Sequence, residues 1–318
     1  MAVQPVDFSS KTVTATLVTD ASTYTAPVVS RVVNKGKAAF LRFSDSFTDG
    51  STETTTPPNN EIWYTSTDGN IVEPINTNLF AVDIESNTYE NGKGIIRFSA
   101  DLYQIGEKKY SYSSIEDAVF NANNLLTIKL PESVRQICTF AFFSCRNLRE
   151  ITLPEHLDYL GFSSFEGCRS IETITIPESE VIANNPISGS SLKCFYGPYS
   201  SEGGMYLIKD GVLLSYAKSF DEDMTVCTIP EEVTRIASYV FSGCDFVELY
   251  LPSTLMTIGN SFGGMRNLRT IHFSEGLERI GMHAFSYCTS LDNVTLPSSL
   301  TSLDYNAFGD CTSLSHIT

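Results

Sequence analysis

The sequence is poor in the residues that usually carry chemistry: one tryptophan, Trp63, and four histidines, His156, His272, His283 and His316, in 318 residues. The histidines are scattered, with no carboxylate or nucleophile at a shared spacing, so no catalytic constellation can be assembled from them. No CxxC or HxxxH pair occurs, which leaves no zinc-binding spacing. The acidic run Asp221, Glu222, Asp223 lacks the alternating spacing of a calcium loop and reads as solvated. Lys/Arg clusters are missing too, and a formal charge of −16 with a pI near 4.6 repels a polyanion. These absences argue against nucleic acid as a partner, against a metal or cofactor, and against an enzyme.

Long apolar runs are also lacking. No stretch approaches the roughly 18 consecutive apolar residues of a membrane span, and MAVQPVDFSS has neither a charged n-region nor an apolar h-region. A leader removed before the first residue is compatible with that start. The composition that remains, 42% hydrophobic and 18% charged, is enough to bury a core.

What is present is a repeat. The pattern L-x-x-I-x-L-P starts at Leu125, Leu148, Ile171, Met224, Phe246, Leu268, Leu291 and Leu314, at intervals of 23, 23, 53, 22, 22, 23 and 23. An apolar residue, usually followed by Gly, recurs twelve places on, as in Leu160-Gly161, Ile258-Gly259 and Ile280-Gly281. A Phe follows about four places later: Phe142, Phe165, Phe241, Phe262, Phe285 and Phe308. Three places beyond stands a Cys: Cys145, Cys168, Cys244, Cys288 and Cys311, with Met265 at the sixth place. A period of about 23 falls in the leucine-rich range.

Alternation in L-x-x-I-x-L is the signature of a short strand with one buried face. Proline follows six of the seven complete strands, where it ends the pairing. The Phe and Cys fill the interior from the opposite wall. One coil leaves both flat faces bare, so the fold class expected is a solenoid, an α/β repeat with a parallel strand ladder of roughly ten coils, about 50 Å long.

A disguised unit near Lys93 carries Ile96, Phe98, Ile105-Gly106 and Tyr110 at the expected places. The insertion SSIEDAVFNANN delays the next start, and Ser114 followed by Glu116 and Asp117 predicts a short helix there. The interval of 53 holds an irregular insert, about 179–223, with one degenerate coil and a hairpin signal at Asp210-Gly211. Solenoid residues are thus expected over 91–318.

Residues 1–90 differ in texture. KTVTATLVT and SRVVNKGKAAFLRFS read as strands, with a linker near 51–60. The segment is either a small antiparallel β unit or a cap on the first coil.

Five of the eight cysteines share one repeat position that also accepts Met265, so they read as free packing residues. Stacked coils hold side chains about 4.8 Å apart on parallel vectors, whereas a disulfide brings Cβ atoms to about 3.8 Å and face to face. Cys227 takes a buried strand place and Cys138 a turn place; Cys194, in the insert, has no assignable partner.

The motif LxxIxLPxxLxxLGxxxFxxC closely resembles the BspA-like, or TpLRR-class, leucine-rich repeats of bacterial surface proteins, over roughly 93–318. Ordinary leucine-rich repeats carry a different, Asn/Cys-containing consensus. NEIWYTSTDGNIVEP and GKGIIRF are similar to the leading segment of such proteins from gut and oral anaerobes. The resemblance implies a non-enzymatic protein, secreted or at the cell surface, with its leader or lipid anchor removed, that binds host proteins or other bacteria.

A binding surface is expected on the outward columns of the ladder. The fifth-place column reads Lys129, Thr152, Thr175, Thr228, Tyr250, His272, Thr295. Threonine suits any strand surface; Tyr250 and His272, on consecutive coils, are the candidate contact patch for a protein or glycan ligand. The alternative is a carbohydrate-binding or enzyme-associated module acting through the N-terminal β unit, near Trp63. The last coil, ending at CTSLSHIT, is expected to leave an open edge prone to end-to-end self-association.

Overall fold

The computed structural model describes residues 56–107, 116–187, 190–201, 203–218 and 225–318, with the backbone of two short strands, Thr16–Thr19 and Ser22–Thr25. Contacts divide the chain into two units, Met1–Glu53 and Thr54–Thr318. In the first, the two strands pair antiparallel, Thr16 opposite Thr25. The expected strand over 30–44, the first half of the 51–60 linker, Ser114, Tyr110 and the acidic run 221–223 lie outside the described residues.

The second unit is a parallel β-solenoid of about eight turns with almost no helix. Each regular coil contributes two very short strands to two separate ladders. The front ladder contains the L-x-x-I-x-L strands: Leu125–Lys129 beside Glu150–Thr152, Thr173–Thr175 beside Cys194–Tyr196, then Val226–Thr228, Glu248–Tyr250 and Thr270–His272, and finally Asn293–Val294 beside His316–Ile317. The flank ladder runs through the apolar-Gly places: Gln104–Ile105, Gln136–Ile137, His156–Leu160 and Glu178–Ile182, and later Thr257–Ile258, Arg279–Ile280 and Ser302–Leu303. Most flank strands are two residues long, too short for alternation to mark them.

Fewer turns form than the roughly ten that the spacing suggests, because the N-terminal end is built differently. The strand beside Leu125–Lys129 is Glu61–Ser66, and it runs antiparallel, with Trp63 opposite Lys129 and Tyr64 opposite Ile128. Lys93–Phe98, the strand of the disguised first unit, lies one place farther out, antiparallel to Glu61–Ser66 on one side and Ile84–Glu90 on the other. Its flank strand, Gln104–Ile105, nevertheless joins the parallel ladder. The expected helix after Ser114 is also absent from its described part. Residues 116–120 are bends and irregular chain, and the amides of Val119 and Phe120 both donate to the Ala141 carbonyl of the following coil.

The third wall of each coil is the Phe-Cys turn. Phe142 and Phe165 stack at a centroid distance of 5.3 Å, and Phe241, Phe262, Phe285 and Phe308 continue at 5.2, 5.1 and 5.4 Å with planes within 8°. Phe120, from the insertion, extends the first stack at 5.3 Å. All but Phe308, which is partly buried, are fully enclosed. Such ring pairs add about 0.5–1.5 kcal/mol to their burial. The stack breaks at the insert, where Tyr206 and Tyr216 pack against Phe241.

All eight cysteines are free, and seven are buried. The thiols of Cys168, Cys288 and Cys311 donate to the carbonyls of Phe142, Phe262 and Phe285, each one coil back. Burial pushes the Cys168 and Cys244 thiols up, the latter to about 11, and Cys227 to about 12. Cys288 is raised by its hydrogen bond with Cys311 and by burial. The residue before each member of this column has positive φ: Ser144, Gly167, Gly243, Gly264, Tyr287 and Asp310. This sharp turn aims the following side chain into the core.

In the insert, Cys194–Tyr196 takes a front-ladder place with Phe195 buried as its inward residue. Asp210 and Gly211, both at positive φ, turn the antiparallel hairpin of Tyr206–Lys209 and Val212–Tyr216. The hairpin's second strand rejoins the flank ladder beside Arg235–Ile236. The insert therefore adds one strand to the front ladder and restarts the flank ladder through the hairpin. Cys194 lies half-buried in it, its thiol near the carbonyls of Phe195 and Gly203.

Candidate functional site on the front ladder

On the front ladder the inward residue of each strand is flanked by two outward ones. Parallel pairing then aligns outward residues of successive coils into columns. Thr228, Tyr250 and His272 are direct neighbours, and beside them run Val226, Glu248 and Thr270. Between the columns, Cys227, Leu249 and Ile271 point into the core.

Tyr250 and His272 stack face to face, with centroids 4.0 Å apart and planes 8° from parallel. Both reach the same oxygen: the Tyr250 hydroxyl donates to Glu248 Oε1 at 2.9 Å, and His272 Nε2 lies 2.6 Å from it. An ionised carboxylate only accepts, so His272 carries a hydrogen on Nε2. The hydrogen bond from His272 holds the Glu248 carboxyl below the usual range, while that same carboxylate pushes the Tyr250 phenol up. The result is a pre-ordered cluster of two rings and one charge.

The other column members are simpler. Thr152, Thr175, Thr228 and Thr295 are exposed, as is Lys129. Thr152 lies beside Lys129, Thr175 beside Tyr196, and Thr295 accepts from the Thr318 hydroxyl at 3.3 Å. Tyr196 thus joins the column from inside the insert. Glu248 and Tyr196 are the residues that column reading overlooked: Glu248 sits in the third-place column, and Tyr196 carries no repeat signature. Of the remaining histidines, His156 lies 3.8 Å from Glu178 and His316 contacts Ser315, so the structure does not bring the four together. Trp63 is covered on one face by the Lys93 ammonium at 3.3 Å, and its indole N–H donates to Glu61.

Among the described residues no three His, Cys, Asp or Glu side chains converge as a metal site would require. No helix there is long and apolar enough to cross a membrane. What the cluster offers is surface: rigid aromatic area, one carboxylate and a flat border of threonines.

The profile described as the BspA type leucine-rich repeat region matches residues 83–202 and 216–318, in six copies. The chain belongs to the BspA-type leucine-rich repeat family. This repeat protein is similar to a leucine-rich cell surface protein of Faecalibacterium prausnitzii, at 22% identity and a TM-score of 0.48, over 60% of this chain and 58% of that one. It is also similar to the pneumococcal vaccine antigen PcpA, at 18% identity and a TM-score of 0.47, over 74% and 70% of the two chains. A Treponema pallidum leucine-rich repeat protein shares 22% identity at a TM-score of 0.28, over 61% and 73%. A comparison with curated proteins finds no match.

Proposed function

We propose that this BspA-type repeat protein is a non-enzymatic binding protein of the cell surface or extracellular space, and that it recognises another protein through the outer face of its front ladder. The observation that carries this reading is the Tyr250–His272 stack tied to Glu248. Rigid aromatic groups lose little freedom on binding and dominate interface energies. Their surroundings, flat and threonine-rich, suit a broad partner surface rather than a small molecule. The surface location of the Faecalibacterium protein is in keeping with this reading.

The test is binding of the full chain to a panel of extracellular matrix and bacterial surface proteins by surface plasmon resonance. A partner held by the wild type should lose at least tenfold in affinity to Y250A/H272A and little to T152A. Equal affinity of all three proteins would remove the front ladder from the interaction.

A further inference from the structure

The edge of the solenoid opposite the front ladder carries a separate feature. Every regular coil has seven residues between its flank-ladder apolar residue and its Cys, as from Ile236 to Cys244 and from Ile280 to Cys288. The coil from Ile258 to Met265 has six. The residue it lacks belongs to the left-handed place that Tyr239 fills one coil earlier and His283 one coil later. The two places before Met265 are both glycine. In this coil no residue fills that place, and a notch of about 700 Å³ opens between its neighbours.

The walls of the notch are aromatic. Tyr239 stands on one side, with His283 and Tyr287 on the other; both tyrosines are more than half exposed and held at positive φ, 64° and 61°. The same left-handed geometry recurs at these two places in other coils, as at Ser163, Asn306, Ser144 and Asp310, so it belongs to the turn of the repeat; what differs here is that tyrosines occupy it. Two coil steps, 5.2 and 5.1 Å at the underlying Phe stack, separate the coil of Tyr239 from the coil of His283 and Tyr287 by about 10 Å. A sugar ring stacked on an aromatic face needs about 3.5–4 Å, so a coil separation of about 10 Å leaves room for one pyranose ring stacked on either wall.

The polar groups select among ligands. The floor's backbone is largely used already: Gly264 N–H donates to Ser286, Gly243 N–H to Gly263, and the Ser242 hydroxyl also to Gly263. Among the described residues a peptide would find only isolated free backbone groups, such as the Gly263 N–H, rather than a continuous edge to pair with. The groups without a partner among the described residues are the Asn260 amide, the Arg266 guanidinium and the two phenols, with Asp245 at the rim. Amide, guanidinium and carboxylate at the edge of aromatic platforms match the vicinal hydroxyls and apolar C–H faces of a sugar. Arg266 and Asp245 balance in sign, and a chain of net charge −16 disfavours an acidic glycan.

The notch also continues. It shares Tyr239 and Ser242 with a second hollow of about 390 Å³ reaching Phe162, where the fully buried Ser163 hydroxyl has no hydrogen-bond partner. Buried hydroxyls are ordinarily satisfied, so this one marks a place for a ligand group.

We propose that this turn-edge groove, from Phe162 to Tyr287, binds a neutral oligosaccharide, with one pyranose ring stacked in the notch lined by Tyr239, His283 and Tyr287. The site is independent of the front-ladder patch.

The experiment is an array of neutral oligosaccharides (glucans, mannans, galactans and N-acetylhexosamine oligomers) probed with the full chain, followed by calorimetry on each hit. Y239A, Y287A and the notch-filling G263F should each weaken binding at least tenfold. Y305A, which removes a tyrosine outside the groove, and Y250A, on the front ladder, should leave it unchanged, with melting temperatures confirming that every variant folds. The proposal is overturned if the array retains no glycan, if groove variants bind as well as wild type, or if proline-rich peptides occupy the notch in place of sugars.

Discussion

Gly161 lies against the backbone of Cys138 and Thr139, one coil back, so closely that a Cβ on it would stand 2.5 Å from the Cys138 carbonyl carbon and overlap the Thr139 amide nitrogen. Gly259, at the same repeat place, has nothing within 4 Å of its Cβ direction. Neither has a positive φ, so space alone separates them. Gly161→Ala should cost about 1–3 kcal/mol, the usual range for overpacking. Gly259→Ala should be neutral or stabilise by up to about 1 kcal/mol through the unfolded chain. Thermal melts of the two variants decide it, and equal shifts would contradict the packing described.

Phe285 is stacked between Phe262 and Phe308 and fully buried, whereas Tyr250 is 38% exposed on the front ladder. Phe285→Ala should therefore lose about 3–5 kcal/mol. Tyr250→Ala should lose less than about 1 kcal/mol, the scale of an exposed cross-strand contact. Urea denaturation of both proteins measures the difference.

The column cysteines should stay reduced and unreactive. Only thiolates react readily, and burial pushes the column thiols of Cys168 and Cys244 up, the latter to about 11, and the strand thiol of Cys227 to about 12; Cys311 is instead lowered by its hydrogen bond with Cys288, and burial is what shields it. Alkylation of the native protein near pH 8, followed by peptide mass spectrometry, should label Cys194 first, since it alone is half-buried. Cys145, Cys168, Cys244, Cys288 and Cys311 should label only after unfolding. Intact masses indicating disulfides among these five would refute their packing role.

The antiparallel strands beside the first coil should respond to acid through Glu61. Burial raises its carboxyl, but hydrogen bonds from Trp63 and Arg97 outweigh that and leave it below its ordinary value. A depressed carboxylate contributes stability that is complete above the unfolded value of about 4.3. That contribution fades as pH falls through the folded value. Glu61→Gln should remove about 1.5–3 kcal/mol at neutral pH, towards the lower end because Arg97 is half exposed. It should also flatten stability between pH 5 and the acid limb. As the single tryptophan, Trp63 reports the opening by fluorescence.

The sequence alone determined the periodic part of this protein. A side chain recurring every 22 or 23 residues meets its own kind in the next coil, so local pattern and tertiary contact are the same fact. The Phe column, the free cysteines and the inward Ile places were legible for that reason. So was the Asp210-Gly211 hairpin, since a two-residue turn acts on its neighbours alone. Where contacts join unlike segments, only the tertiary structure decided. Either Glu61–Ser66 or Lys93–Phe98 has the alternation to cover the first coil, and position beside Leu125–Lys129 went to the earlier strand. Glu248 gained its role by lying next to two rings that reach one of its oxygens, a geometry that exists only once three coils are in register. The interval of 22 before Leu268 was plain in the sequence; that one missing residue opens a groove only because the coils on either side hold tyrosines upright beside it.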